Sequence, residues 1–335
     1  MRSFSVVLAF LIAAGTVHGE TLFERGDVVV QSSASSPFGP PYPDYADLSV
    51  ADSFGQEKAI DGRFELPPFA GGLLFLDQQR ALYVGPLGVT SWTDGISVRS
   101  VFLGPLNLHA TGEILQMRSG DLLTAERYRL GGLPRIVRFN SSGDVLWVYE
   151  LTGAPPRAWY FGSEPNSFVG AEHFDVLRDQ CTLLWTPGPS AARNGGIRVR
   201  VFDICTGRAA SDFTTLPPEI EQLGAIRALP NGDVLIATPV DIRRFNAAGQ
   251  QVAEYRAPVL FGRLMSSAPT FLALTPDASG FWAAVGDAVQ RIDFASPDLI
   301  AARFRMDSGG TINLLAVVGE WRASLATPRR RSAGH

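Results

Sequence analysis

The chain has 335 residues, 29 Lys and Arg against 33 Asp and Glu, and a formal net charge of −4. That balance lacks the basic excess of a general polyanion binder, so nucleic acid is excluded as an expected partner. With 46% apolar residues the chain can bury a sizeable core, and two cysteines are too few for a disulfide-built scaffold.

Residues 1–19 read as a signal peptide. Arg2 gives the positive start, residues 6–14 are unbroken apolar sequence, and Val17 and Gly19 suit a cleavage site ahead of Glu20. The apolar run falls short of the roughly 18 residues a membrane span needs, and no later segment reaches it. The expectation is a secreted or periplasmic protein with no membrane span. Losing Arg2 with the leader moves the formal charge from −4 to −5. Residues 26–30 (GDVVV) then read as a strand, and residues 32–47 as a Pro-rich, aromatic insertion.

From there a phrase recurs six times: small residues, a short apolar strand, often a turn. Its apolar starts are Leu73, Ile114, Phe174, Ile226, Phe271 and Ile312, separated by 41, 60, 52, 45 and 41 residues. The copies ILQMRSGDLLTAE and IRALPNGDVLIAT align without a gap. A second column, Asn140, Asp203, Asn246 and Asp293, closes an apolar strand in each unit, and the residues after it have turn chemistry. One unit thus reads as inner strand (IRAL), turn (PNGD), second strand (VLIAT), loop, third strand (DIRRF), turn (NAAG), outer strand (QVAEY). Four short antiparallel strands every ~40–50 residues is the pattern of a propeller blade. An all-β sandwich does not account for six aligned starts. The expected fold is an all-β, six-bladed β-propeller of four-stranded antiparallel blades. Strands from both chain ends complete one shared blade and so remove a sheet edge. Residues 20–326 form the single domain, and 327–335 a basic tail. A second insertion, residues 153–172, is longer than a structural turn needs.

Cys181 and Cys205 sit 24 residues apart, at the start of one predicted strand and the end of the next. Antiparallel pairing brings those ends together, and export favours a disulfide there; two buried thiols is the other reading.

The phrase LPNGDVLIAT…IRRFNAAGQQV resembles the repeats of NHL-type propellers and of the six-bladed SMP-30 (gluconolactonase)-like group. The likeness covers most of the mature chain as a pattern. It implies a central metal held by Glu, Asn and Asp side chains near the inner strands, and hydrolysis of lactones or esters.

In a propeller, the residue before each inner strand lies at one mouth of the central channel. Those positions are Gly72, Glu113, His173, Ala225, Thr270 and Thr311. Glu113 and Asn313 are the candidate ligands of a divalent cation such as Ca²⁺, since hard cations take oxygen ligands. His173 is the candidate catalytic base, because imidazole titrates near neutrality. Glu172, Arg127, Asp241 and Asp287 are the candidate ligand-binding residues around the same mouth. Polar strand ends wetted by channel water is the alternative for the whole set. Only His109, His173 and His335 follow the leader, so a multi-histidine zinc or iron site is not expected. Two function classes follow: a binding scaffold recognising an extracellular protein, glycan or small ligand on its loop face, and a metal-dependent lactone or ester hydrolase.

Overall fold

The computed structural model describes residues 23–34, 45–59, 72–85, 88–93, 96–101, 113–126, 135–150, 173–186, 196–220, 223–238, 241–256, 271–306 and 311–325. The expected leader, the basic tail, Arg127, Glu172 and insertion 153–172 lie outside these residues. All regular structure among the described residues is β-strand.

The first sheet holds β1 (Val28–Ala34), β2 (Tyr45–Ala51) and β3 (Glu57–Lys58). Its hairpin corrects the bounds of the first insertion. Residues 32–34 and 45–47 are paired strand, which leaves residues 35–44 as the connection. The next sheet is β4 (Gly72–Phe75), β5 (Arg80–Gly85), β6 (Gly88–Thr93) and β7 (Ile96–Val101). Then come β8 (Ile114–Gln116), β9 (Leu122–Glu126), β10 (Arg135–Phe139) and β11 (Val145–Glu150). β12 (Phe174–Val176), β13 (Thr182–Trp185) and β14 (Arg198–Asp203) follow. The outer strand of that sheet is split into β15 (Arg208–Ala209) and β16 (Thr214–Thr215), both paired with β14. The fifth sheet is β17 (Ile226–Ala228), β18 (Val234–Ala237), β19 (Asp241–Phe245) and β20 (Gln251–Arg256). The sixth is β21 (Phe271–Leu274), β22 (Gly280–Val285), β23 (Ala288–Asp293) and β24 (Ile300–Arg305). The last strand, β25 (Thr311–Val317), returns to the first sheet, whose order is β25-β1-β2-β3. Val28 pairs with Val317 and Val30 with Leu315, antiparallel. The GDVVV segment therefore serves as the second strand of a sheet whose inner strand is C-terminal.

The architecture is an all-β propeller of four-stranded antiparallel blades. Among the described residues, six apolar clusters hold its sheets face to face, and each joins two consecutive sheets. The one around Trp185 and Phe174 packs the β8–β11 sheet on the β12–β16 sheet; the one around Phe23, Val29, Leu73 and Phe75 packs the closing sheet on β4–β7. Inner and second strands are buried on both faces, hence their continuous apolar sequence. The single lysine also works in the closing sheet. Lys58 Nζ bonds Asp27 at 2.8 Å and Glu24 at 3.2 Å. Burial would lower the Lys58 pKa, but these two carboxylates override it and raise it.

The turns repeat as the sequence pattern implies. The turn after each of β8 and β17 needs one left-handed residue, and Gly120 (φ 89°) and Gly232 (φ 94°) supply it. Gln180 (φ 66°) and Ala278 (φ 54°) take equivalent positions without that freedom. In the turns before the outer strands, Asn140 Oδ1 accepts the amides of Ser142 and Asp144, and Asn246 Oδ1 those of Ala248 and Gln250. Cys181 and Cys205 form a disulfide, with Cα atoms 5.1 Å apart. It ties the turn before β13 to the turn after β14.

Candidate functional site

The inner strands β8, β12, β17 and β21 are each the last strand of their sheet, so among the described residues their outward edges have no strand partner on the channel side. Backbone amides on such an edge need acceptors. Carboxylates from neighbouring sheets provide them. Glu113, just ahead of β8, accepts from Phe174 N in β12 at 3.4 Å. Asp175, in β12, accepts from Ala228 N in β17 at 2.8 Å through Oδ2, and from Val176 N at 2.8 Å through Oδ1. Glu320, three residues beyond β25, accepts from Leu274 N in β21 at 2.8 Å.

Arginines balance these buried charges. Arg227, in the middle of β17, is 4% exposed. Its Nη1 bonds Glu113 Oε1 and its Nε bonds Glu320 Oε1 at 3.1 Å. Nη1 also donates to the Ile226 carbonyl at 2.8 Å. Arg322 Nη2 bonds Glu320 Oε2 at 2.6 Å, and its buried Nε and Nη1 have no hydrogen-bond partner among the described residues. A chain of ion pairs, Glu113–Arg227–Glu320–Arg322, thus runs from the β8–β11 sheet through β17 to the segment that closes the ring, and amide bonds to its carboxylates tie in β12 and β21.

The electrostatics follow from burial and these partners. Burial alone would raise the Glu113 carboxyl. The guanidiniums of Arg227 and Arg322, with His173, override it and hold the group below its ordinary value. Burial pushes Asp175 up to about 6 against the pull of Arg322, Arg227 and the Ala228 amide, and the Glu113 charge adds to the rise. Burial would lower Arg227, but Glu113, Glu320 and Asp175 keep it firmly charged.

Glu113 and His173, both standing just before inner strands, lie near enough for the imidazole to act on the Glu113 carboxyl. His173 is 3% exposed, which sets it inside the cluster rather than at an open mouth. Asp241 and Asp287 do not join it, because arginines of their own sheets hold them. Asp241 takes Arg243 Nη2 at 2.7 Å and Thr238 Oγ1 at 2.7 Å, and Asp287 takes Arg305. Asn313 lies within β25, with its side chain outside the described set. Asp175, Arg227, Glu320 and Arg322 are absent from the residues singled out by sequence. The available signal is a lone charge inside an apolar three-residue inner strand, in FDV and IRA.

The described side chains do not fit the divalent cation that the resemblance implies. Glu113 is paired to a buried guanidinium, Glu320 to two, and both Asp175 oxygens accept amides. A hard dication there would meet Arg227 and Arg322 at short range in a medium that screens poorly. Among the described residues, the one grouping of potential ligand atoms is Cys181, Asp203 and Cys205, and its sulfurs are already bonded to each other.

No protein-family profile matches the chain, and no curated protein matches its sequence. Solved structures do share its fold. A protein of unknown function from Bacteroides caccae superposes with a TM-score of 0.57 at 14% identity, over 88% of this chain and 99% of its own. A gluconolactonase from Xanthomonas campestris gives 0.51 at 12% identity, over 71% and 75%. A calcium-binding protein, regucalcin, from Agrobacterium tumefaciens gives 0.50 at 15% identity, over 72% and 74%. The fold is therefore a propeller resembling those of the gluconolactonase and regucalcin type.

Proposed function

We propose that this chain is an exported β-propeller that binds an extracellular protein, glycan or small ligand on the loop face around Glu113 and His173. In this reading its six sheets are six blades of one closed ring, and no central metal supplies hydrolytic chemistry. The observation that carries it is the pairing of Glu113 with Arg227. A carboxylate committed to a buried guanidinium and a strand-edge amide is a poor cation ligand and a poor proton acceptor. Its pKa is held below the ordinary carboxyl value by the neighbouring guanidiniums, which makes it a weak base, whereas a general base is best matched near the working pH. With the axis closed in this way, recognition falls to the surrounding loops, where long connections carry function in many folds. Glu172, Arg127, Asp241 and Asp287 are the proposed contributors on that face. Export rests on the leader pattern, with the Cys181–Cys205 disulfide in keeping with an oxidising compartment.

A second reading, a metal-dependent lactone or ester hydrolase, is favoured by the fold likeness to the Xanthomonas gluconolactonase. Fold alone does not fix function. That mechanism would use His173 as base with a cation at Glu113 and Asn313. The two readings separate on one assay. Mature protein is offered aryl esters and simple lactones with Ca²⁺, Mg²⁺, Mn²⁺ or Zn²⁺. The binding reading expects no turnover above the metal-only background. Turnover that a chelator abolishes, and that Glu113→Gln abolishes in a folded protein, would establish the hydrolase instead.

A further inference from the structure

We infer that Arg227 is the resident cation of this axis, standing between Glu113 and Glu320 in the place a divalent cation would take. The inference concerns the channel and does not depend on what the loop face binds. It starts from convergence: Glu113 and Glu320, from different sheets, bond one guanidinium through Nη1 and Nε. Asp175 lies one inner strand away, bonded to the residue after Arg227. The guanidinium is 4% exposed, so it is not a surface side chain that folded inward by chance.

Charge counting shows what its removal would do. Arg227 and Arg322 together match Glu113 and Glu320, and Asp175 relieves the remaining strain by holding its proton more tightly. Adding a dication would leave the cluster positive even with Asp175 ionised. Without Arg227, three carboxylates would face Arg322 alone. Ionising all three leaves a deficit of two charges, which one Ca²⁺ or Mn²⁺ ion fills through oxygen ligands. Truncation to alanine also opens the space of a guanidinium and its stem.

The test uses chelator-treated full-length mature protein, its metal content, and thermal melting at constant ionic strength with Ca²⁺ or Mn²⁺ added. Wild-type protein is expected to retain no stoichiometric metal and to show no saturable shift. Arg227→Ala should melt lower and recover several degrees, saturably, on metal addition, because a ligand that binds only the folded state stabilises it. Arg227→Ala with Glu113→Gln should lose that recovery, and Arg227→Lys should stay indifferent to metal. A folded Arg227→Ala protein that takes up no metal would overturn the inference. Should that variant fail to fold without metal, refolding it with Mn²⁺ supplies the same answer, and failure in both conditions counts against the inference. The wild-type arm decides independently: stoichiometric metal lost in Glu113→Gln would show that Arg227 does not occupy the site.

Discussion

Asp175 and Glu320 show how differently two buried carboxylates behave. Asp175 is raised to about 6, so its ionised form is the one folding disfavours. A group raised on folding contributes stability in full below its unfolded pKa, and that contribution is lost as pH rises through the folded value. Wild-type stability should therefore carry a component of on the order of 2 to 3 kcal/mol that falls between about pH 4 and pH 7. Asp175→Asn, which keeps His173, should lack that component; equal pH slopes for the two proteins in denaturant unfolding would refute the assignment. Glu320 has two arginines and an amide. Glu320→Gln strands the buried charge of Arg322 and removes one of the two carboxylates on Arg227, and should cost about 3–5 kcal/mol of unfolding free energy. A loss below about 1 kcal/mol would mark the pair as solvent-screened. At this scale the sequence was legible where position carried the signal. Glu113 and His173 stand immediately before aligned inner strands, and alignment alone finds them. Asp175 and Arg227 lie inside apolar strands, where pattern reading assigns core. Their role depends on which sheet comes next around the ring, and a linear pattern does not encode that.

Among the elements, the turns and the disulfide were the most readable, because each rests on local chemistry. The Asn140 and Asn246 turns formed as the Asx and Gly residues imply. Gly249 (φ 75°) is held twice over, since a Cβ there would overlap the Phe213 carbonyl oxygen. Gly249→Ala should cost more than the roughly 1 kcal/mol of an ordinary glycine replacement. Ala278 is the converse case: Ala278→Gly relieves a left-handed alanine and should be neutral or stabilising in the same unfolding assay. For the disulfide, thiol titration of denatured, unreduced protein should find no free thiol, and the double Ser variant should lose around 3 kcal/mol for a loop of 24 residues. The split of the outer strand into β15 and β16 was not readable, because RAASDFTTL looks like one continuous run. On β11, Val145, Leu146, Trp147 and Val148 are all exposed on an outermost strand, Trp147 at 62%. Such an edge invites association. Trp147→Lys should reduce concentration-dependent association in sedimentation while leaving stability within about 0.5 kcal/mol.

For the whole molecule, the axis and the closing sheet are one device. β25 brings Glu320 and Arg322 to the channel, so the strand that removes the sheet edge also delivers the charges that tie β17 and β21 to it. Six recurring starts and orphan strand material at both ends made this closure legible. The charged pin through its centre was not, because Glu320 follows the last repeat start by eight residues and fits no repeat column. The central claim is that the axial carboxylates cap inner-edge amides and are held by arginine. Native-state hydrogen exchange of the Phe174, Ala228 and Leu274 amides tests it most directly. These three lie in different sheets, on edges with no strand partner, and depend on Glu113, Asp175 and Glu320 for protection. The account predicts that all three exchange only through global unfolding, with one shared opening free energy. Exchange at the rates of open, solvated amides would contradict it.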